Sequence, residues 1–143
     1  LKFVMAGGGT GGHLFPALAL AEELKARDAG AEITFIGARR AFEESVVPKY
    51  GFQLMLLSVE GVKGRRGLKR VLALIKAVGA TVRAFFILRA IRPDGVIGSG
   101  SYASLPVVAA ARLLRIKTAV LEQNAMPGLT NRALGRFVDR IYA

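Results

Sequence analysis

The feature that most constrains this chain is residues 7–13, Gly-Gly-Gly-Thr-Gly-Gly-His. Five of its first six residues are glycine, and it ends in the only histidine of the sequence. Glycine adds nothing to a core and loses the most backbone freedom on folding, so such a run marks a place where the chain turns tightly or comes close to something else. An apolar run at 3–6 precedes it. A helical pattern follows, opened by Pro16, with Leu14, Ala17, Leu18, Ala21 and Leu24 on one face. Strand, glycine loop and helix together aim backbone N–H groups and the positive end of a helix at an anion, most often phosphate.

The same alternation runs through the rest of the chain. Strands are predicted at 32–36, 52–57, 95–97 and 118–121, and an apolar stub at 140–142 reads as the start of a sixth. Helices are predicted at 41–50, kinked or ended by Pro48, and at 68–92, 105–114 and 129–137. This is an α/β chain: a Rossmann-like open parallel sheet with helices on both faces. In such sheets ligands bind beyond the carboxyl ends of the strands, where the strand order reverses. The glycine loop, a second turn at 98–102 (Gly-Ser-Gly-Ser-Tyr) and the polar triplet Glu122-Gln123-Asn124 all follow strands, so they should meet on one rim.

Composition removes several classes of function. With 143 residues and just over half of them hydrophobic, the chain can bury a core and is not disordered. It has no cysteine, so no disulfide or thiolate chemistry, and one histidine and ten acids leave little for a metal cluster. Residues 3–21 and 95–111 are the longest uncharged runs; glycines and a proline break them, and no transmembrane segment is expected. Lys2 before four apolar residues is too short for a signal peptide. The net charge is +11, and nine of the 21 cations fall between 63 and 92 with no acid among them. Such a block implies an anionic partner on one side of the molecule, or simply a solvated helix face.

Within 68–92, Lys69, Lys76 and Arg83 recur every seven residues and form one stripe. Leu72, Ile75, Val82 and Phe86 are predicted to face the sheet, leaving Leu68, Leu74, Val78, Phe85 and Leu88 as extra apolar surface. Large apolar residues among cations fit a helix resting on an anionic membrane, or one packed on a partner domain. No nucleic-acid motif accompanies it.

Four groups can carry chemistry. Gly7, Gly9 and Gly12 satisfy G-x-G-x-x-G, but the acid that would hold a dinucleotide ribose is replaced by Arg39-Arg40, which leaves an NADP-binding Rossmann domain as one reading. His13, polar and beside a helix N-terminus, is a candidate general base. Ser99, Ser101, Tyr102 and Ser104 form a hydroxyl-rich second turn that could grip a pyrophosphate from the other side. Gln123 and Asn124 can each donate and accept, which suits sugar hydroxyls, although Asn124 could equally cap the next helix.

Over essentially its whole length the sequence resembles the N-terminal domain of the MurG family of peptidoglycan glycosyltransferases. The stretches that carry the resemblance are GGGTGGHLFPALALAEEL at 7–24, VPKYGF at 47–52, VEGVKG at 59–64, RPDGVIGSGSY at 92–102 and EQNAMPGLTN at 122–131. The chain departs from that family in having Ser101 where Gly-Gly-Tyr is usual, Leu105 in place of glycine before Pro106, and Leu121 where histidine precedes Glu-Gln-Asn. The resemblance implies one half of a two-domain GT-B enzyme. Residues 1–143 would be the acceptor- and membrane-binding domain, with the donor-binding C-terminal domain, its partner, not in this chain. The implied reaction is inverting transfer of N-acetylglucosamine from UDP-GlcNAc to the muramyl 4-hydroxyl of lipid I, forming lipid II at the cytoplasmic face of the bacterial inner membrane, with no metal or cofactor. The isolated domain would be inactive. By the same resemblance Thr10, Gly11, Gly12 and Asn124 would meet the donor. Gly8, Gly9, Gly100, Ser101, Tyr102, Ser104, Glu122 and Gln123 would serve the acceptor and its pyrophosphate. Lys69, Leu74, Lys76, Val78, Arg83 and Phe85 would form the membrane patch. A non-catalytic subunit that recruits a separate glycosyltransferase chain to the bilayer is the other reading.

Overall fold

The computed structural model describes residues 1–59, 64 and 66–143; the centre of the 59–64 motif, with Lys63, and Arg65 of the basic block lie outside the described residues. Six strands form one parallel sheet: β1 (Lys2–Ala6), β2 (Glu32–Ala38), β3 (Gln53–Leu57), β4 (Gly95–Gly98), β5 (Lys117–Leu121) and β6 (Arg140–Tyr142). Their order is β3-β2-β1-β4-β5-β6. The chain therefore builds outward from β1 in one direction, then crosses back and builds outward in the other. The reversal lies between β1 and β4, where Ala6 pairs with Gly98, and there two loops must leave neighbouring strands side by side.

Strand alternation divides the core. Met5, Ile33 and Phe35 point to one face, against Leu14, Ala17, Leu18 and Ala21 of α1 (Gly11–Arg27). Val4, Ala6, Ile36 and Val96 point to the other, under α3 (Leu68–Ile91) and α4 (Ser104–Leu113). Strands buried on both faces read as continuous apolar runs, which is why the sequence shows them so plainly.

Several elements depart from expectation. First, α1 starts at Gly11, not at Pro16: Thr10 is the extended N-cap residue, and its carbonyl accepts from the N–H groups of both His13 and Leu14. Pro16 lies inside the helix, where it leaves the Gly12 carbonyl without its donor; Gly12 is exposed, so the position tolerates this. Second, β2 runs through Gly37 to Ala38. Third, the helix expected at 41–50 is α2 (Ala41–Val46) followed by a 3-10 turn (Val47–Tyr50) with Pro48 at its start, and Gly51 closes it at φ 78°. The last helix, α5, is likewise short (Leu129–Leu134).

The long helix α3 has the predicted length but presents the opposite face. Its buried residues are Ala73, Ala80, Ala84 and Leu88. Leu72, Ile75, Val82 and Phe86, expected against the sheet, are about half or more exposed. Phe85 and Leu88, expected outside, belong inside: Phe85 is half-buried against the core, and Leu88 is fully buried. The alanine stripe lets α3 sit close on the layer beneath, with no room for larger side chains. By length and composition alone α3 could also cross a membrane, a possibility the sequence reading of uncharged runs passed over because cations interrupt it.

Candidate functional site

At the switch point both loops continue the sheet's hydrogen bonding by one step. The Gly7 N–H donates to the Ile36 carbonyl at 3.0 Å, and the Ser99 N–H donates to the Ala6 carbonyl at 2.8 Å. Gly7, Gly8 and Gly9 then all take positive φ, 127°, 137° and 90°, a run that residues with a Cβ rarely adopt. Space is as restrictive as torsion. A Cβ at Gly7 would lie 2.5 Å from Ser99 Oγ, and one at Gly8 would collide with the Glu43 carboxyl. In the second loop a Cβ at Gly100 (φ 97°) would lie 2.7 Å from Asn131 Nδ2. Each loop is thus propped from behind by one buried polar side chain, Glu43 under the first and Asn131 under the second.

The two loops, with the start of α1 and the start of α5, border a cleft of about 820 Å³. Gly8, Gly9, Thr10, His13, Gly100, Ser101 and Tyr102 of the predicted set line it. Gly11 and Gly12 form the first helical residues beside it. Four others stand apart from the lining. Ser104 is fully buried and its hydroxyl donates to the Ser101 carbonyl, so it shapes the second loop. Glu122 is buried and accepts from the Asn124 and Gly128 N–H groups and from the side chains of Asn124 and Asn131. Asn124 is exposed, with its amide committed to that carboxylate. Burial pushes the Glu122 carboxyl up, but these four donors outweigh it and hold it below the ordinary carboxylate value. Glu122 is therefore the hub that orders the loop after β5 and ties it, through Asn131, to the second glycine turn.

Gln123 reaches across to His13, its Nε2 2.6 Å from Nδ1. With the amide so turned, the Gln123 NH₂ donates to Nδ1 and a neutral imidazole carries its proton on Nε2, able to donate. With the amide rotated by half a turn, its oxygen accepts from Nδ1–H and Nε2 is free to take a proton. A base role for His13 requires the second arrangement.

Arg40 entered the sequence reading only beside Arg39, as part of the NADP alternative. In the structure it lines the cleft, donates from Nε to the Tyr102 hydroxyl at 2.8 Å and also from Nη2, and lies over the Tyr102 ring at 5.2 Å. It spans the two loops; Arg39 is not in the lining. Arg70, in the first turn of α3, adds a second cation to the cleft. Glu43 escaped notice because a glutamate in the first turn of a helix is ordinary in sequence; the two glycines packed on it, Gly8 and Gly37, are its only trace.

The outer face of α3 adjoins this cleft through Arg70. Leu74 and Val78 are exposed there, as are Lys69, Lys76 and Arg83. Leu68 is exposed as expected, and Val71, Leu72, Ile75, Val82 and Phe86 widen the apolar patch beyond the residues predicted for it. Among the described residues no group of histidine and acidic side chains could hold a metal.

Residues 3–143 match the N-terminal domain of glycosyltransferase family 28. A protein of Syntrophus aciditrophicus described as UDP-N-acetylglucosamine–N-acetylmuramyl-(pentapeptide) pyrophosphoryl-undecaprenol N-acetylglucosamine transferase is 54% identical over 142 residues, which are 99% of this chain and 39% of that protein. A protein of the same description from Anaeromyxobacter is 51% identical, again over 99% of this chain and 37% of the relative. The crystal structure of MurG from Acinetobacter baumannii superposes with a TM-score of 0.85 at 31% identity, covering 98% of this chain and 40% of that one. The chain thus spans well under half the length of the relatives it matches.

Proposed function

The chain belongs to glycosyltransferase family 28, whose N-terminal domain it matches over residues 3–143, and we propose that it is the acceptor- and membrane-side half of an inverting transferase. In this reading the longer protein moves N-acetylglucosamine from UDP-GlcNAc to the 4-hydroxyl of a lipid-linked muramyl pentapeptide. A second domain supplies most of the donor site. The names of the relatives and the extent of their identity support the choice of reaction.

The observation that carries the assignment of sides is the juxtaposition of the two glycine loops at the switch point. Their backbones come close to the cleft, and Arg40 and Arg70 bring positive charge to it, as a lipid pyrophosphate needs. His13, on the α1 side, would remove the proton from the attacking hydroxyl as the bond to the donor's anomeric carbon forms and UDP leaves. Gln123 would hold its imidazole. Thr10 and the start of α1 would face the donor across the interdomain cleft.

The exposed apolar face of α3, its cations and the adjoining Arg70 support a peripheral site on the cytoplasmic face of the inner membrane. The pyrophosphate of a membrane-anchored acceptor then has to travel only from that face into the cleft.

The test is a chimera in which this chain replaces the matching 39% of the Syntrophus relative. It should transfer N-acetylglucosamine to the lipid-linked acceptor, and H13A should lower turnover about a hundred- to ten-thousand-fold. An inactive but folded chimera would overturn the reading, as would transfer by the 143-residue chain alone. Unchanged turnover in H13A would remove His13 from the chemistry.

A further inference from the structure

We propose that Glu43 is a positioning residue of the first glycine loop that competes with a bound pyrophosphate for the Gly9 N–H and the Arg40 guanidinium, so that anion binding in the cleft takes up a proton on Glu43. This rests on the cleft being a pyrophosphate site, as proposed above.

The geometry is specific. Glu43 is 1% exposed, and neither carboxyl oxygen has a hydrogen-bond partner. Its Oε1 abuts the backbone at Gly8 and its Oε2 that at Gly37, each so closely that no Cβ would fit. A buried carboxylate without donors is costly, and it relieves that cost by protonation or by drawing donors to itself. Two such donors act on it without completing a bond: the Gly9 amide and Arg40. Both also line the cleft. Burial raises Glu43 to about 7, against the pull of Gly9 and Arg40 and with a further push from Glu44. Its proton is therefore exchangeable at neutral pH.

The surroundings leave few other charges to respond. The glycine loop and the end of β2 offer Glu43 only backbone, and Arg40 and Glu44 are the charged groups acting on it from its own segment. With Glu43 ionised, Gly9 N–H and Arg40 are held toward it. With Glu43 neutral, both are free to turn to an anion in the cleft. Linkage makes the effect reciprocal: whatever protonation adds to anion affinity, the anion adds to the proton affinity of Glu43.

The experiment follows the Glu43 side-chain carboxyl of this chain by carbon NMR through a pH titration, with and without a dimethyl pyrophosphate diester. That probe mimics the doubly esterified pyrophosphate and has no group titrating near neutrality. The expected result is a Glu43 midpoint moved up by about one pH unit on saturation, a roughly tenfold coupling. His13 also faces the cleft, so affinity alone would not single out Glu43. In an H13Q background, affinity should fall roughly fivefold from about pH 6 to about pH 8 with Glu43 present and stay level in E43Q. Binding that leaves the Glu43 midpoint unmoved would overturn the coupling while leaving the cleft a pyrophosphate site. No perturbation of the Gly8 and Gly9 amides by the diester at any pH would overturn the cleft's assignment, and the coupling with it.

Discussion

Replacing Glu43 with Gln tests the most unusual electrostatic feature of the structure through stability alone. Burial lifts the carboxyl from its ordinary 4.5 to about 7, so the folded chain holds a proton that the unfolded chain releases earlier. The folded state binds more protons between those values, and stability must fall as pH rises through that window, then level off. At about 1.4 kcal/mol per pH unit the loss is on the order of 3 kcal/mol. Gln has the same shape and no charge to ionise, so E43Q should escape this loss. Its amide NH₂ would itself lack a partner, a cost of about 1–3 kcal/mol, but that cost does not change with pH. The informative quantity is therefore the change in ΔΔG between acid and alkaline conditions, not its absolute value. Urea denaturation of the chain and of E43Q at about pH 4.5 and about pH 8 should show the variant gaining on the order of 3 kcal/mol relative to the parent at the higher pH. In thermal melts that is roughly 6–12 °C for a chain of this size. Equal differences at the two pH values would show that Glu43 ionises as freely folded as unfolded, and would refute the buried-carboxyl argument.

Glu122 has the opposite pH dependence, because its folded carboxyl is held below its ordinary value. Its stabilisation is present above that ordinary value and is lost as pH falls through the lower folded one, so E122Q should flatten the acid limb of a stability profile measured by denaturation. Glu122→Ala strands the Asn124, Gly128 and Asn131 donors and should cost about 3 kcal/mol at neutral pH by urea titration. On the outer face of α3, Ile75→Glu and Val78→Glu together should leave the melting temperature nearly unchanged, since both side chains are more than half exposed. They should abolish sedimentation with anionic vesicles; retained sedimentation would place the membrane contact elsewhere.

Much of this protein was legible in its residues because parallel strands and their helices are local patterns. The βα alternation, the strand centres and the two glycine turns follow from apolar runs and from glycine's backbone, which depend on near neighbours in sequence. That Gly7–Gly9 and Gly98–Tyr102 would share a rim also followed, from the rule that ligands sit beyond the carboxyl ends of strands. The helix faces were harder. On α3 the sequence offers apolar residues nearly all round, so periodicity cannot choose a face; only the close approach to the layer beneath selects the alanine stripe and turns Phe86 outward and Leu88 inward.

The propped loops belong entirely to tertiary structure. Glu43 lies six residues beyond Gly37 in sequence and 35 beyond Gly8, and only the pairing of β1 with β2 brings those two glycines together over its carboxyl. Arg40, between β2 and α2, reaches Tyr102 because β1 lies between β2 and β4 and brings the ends of those strands onto one rim. Residues 7–13 by themselves determined that the chain would turn, expose its N–H groups and begin a helix, since glycine and the helix terminus fix that locally. Which charges would stand behind and across that loop depended on contacts between segments distant in the chain, and those the strand order alone decided.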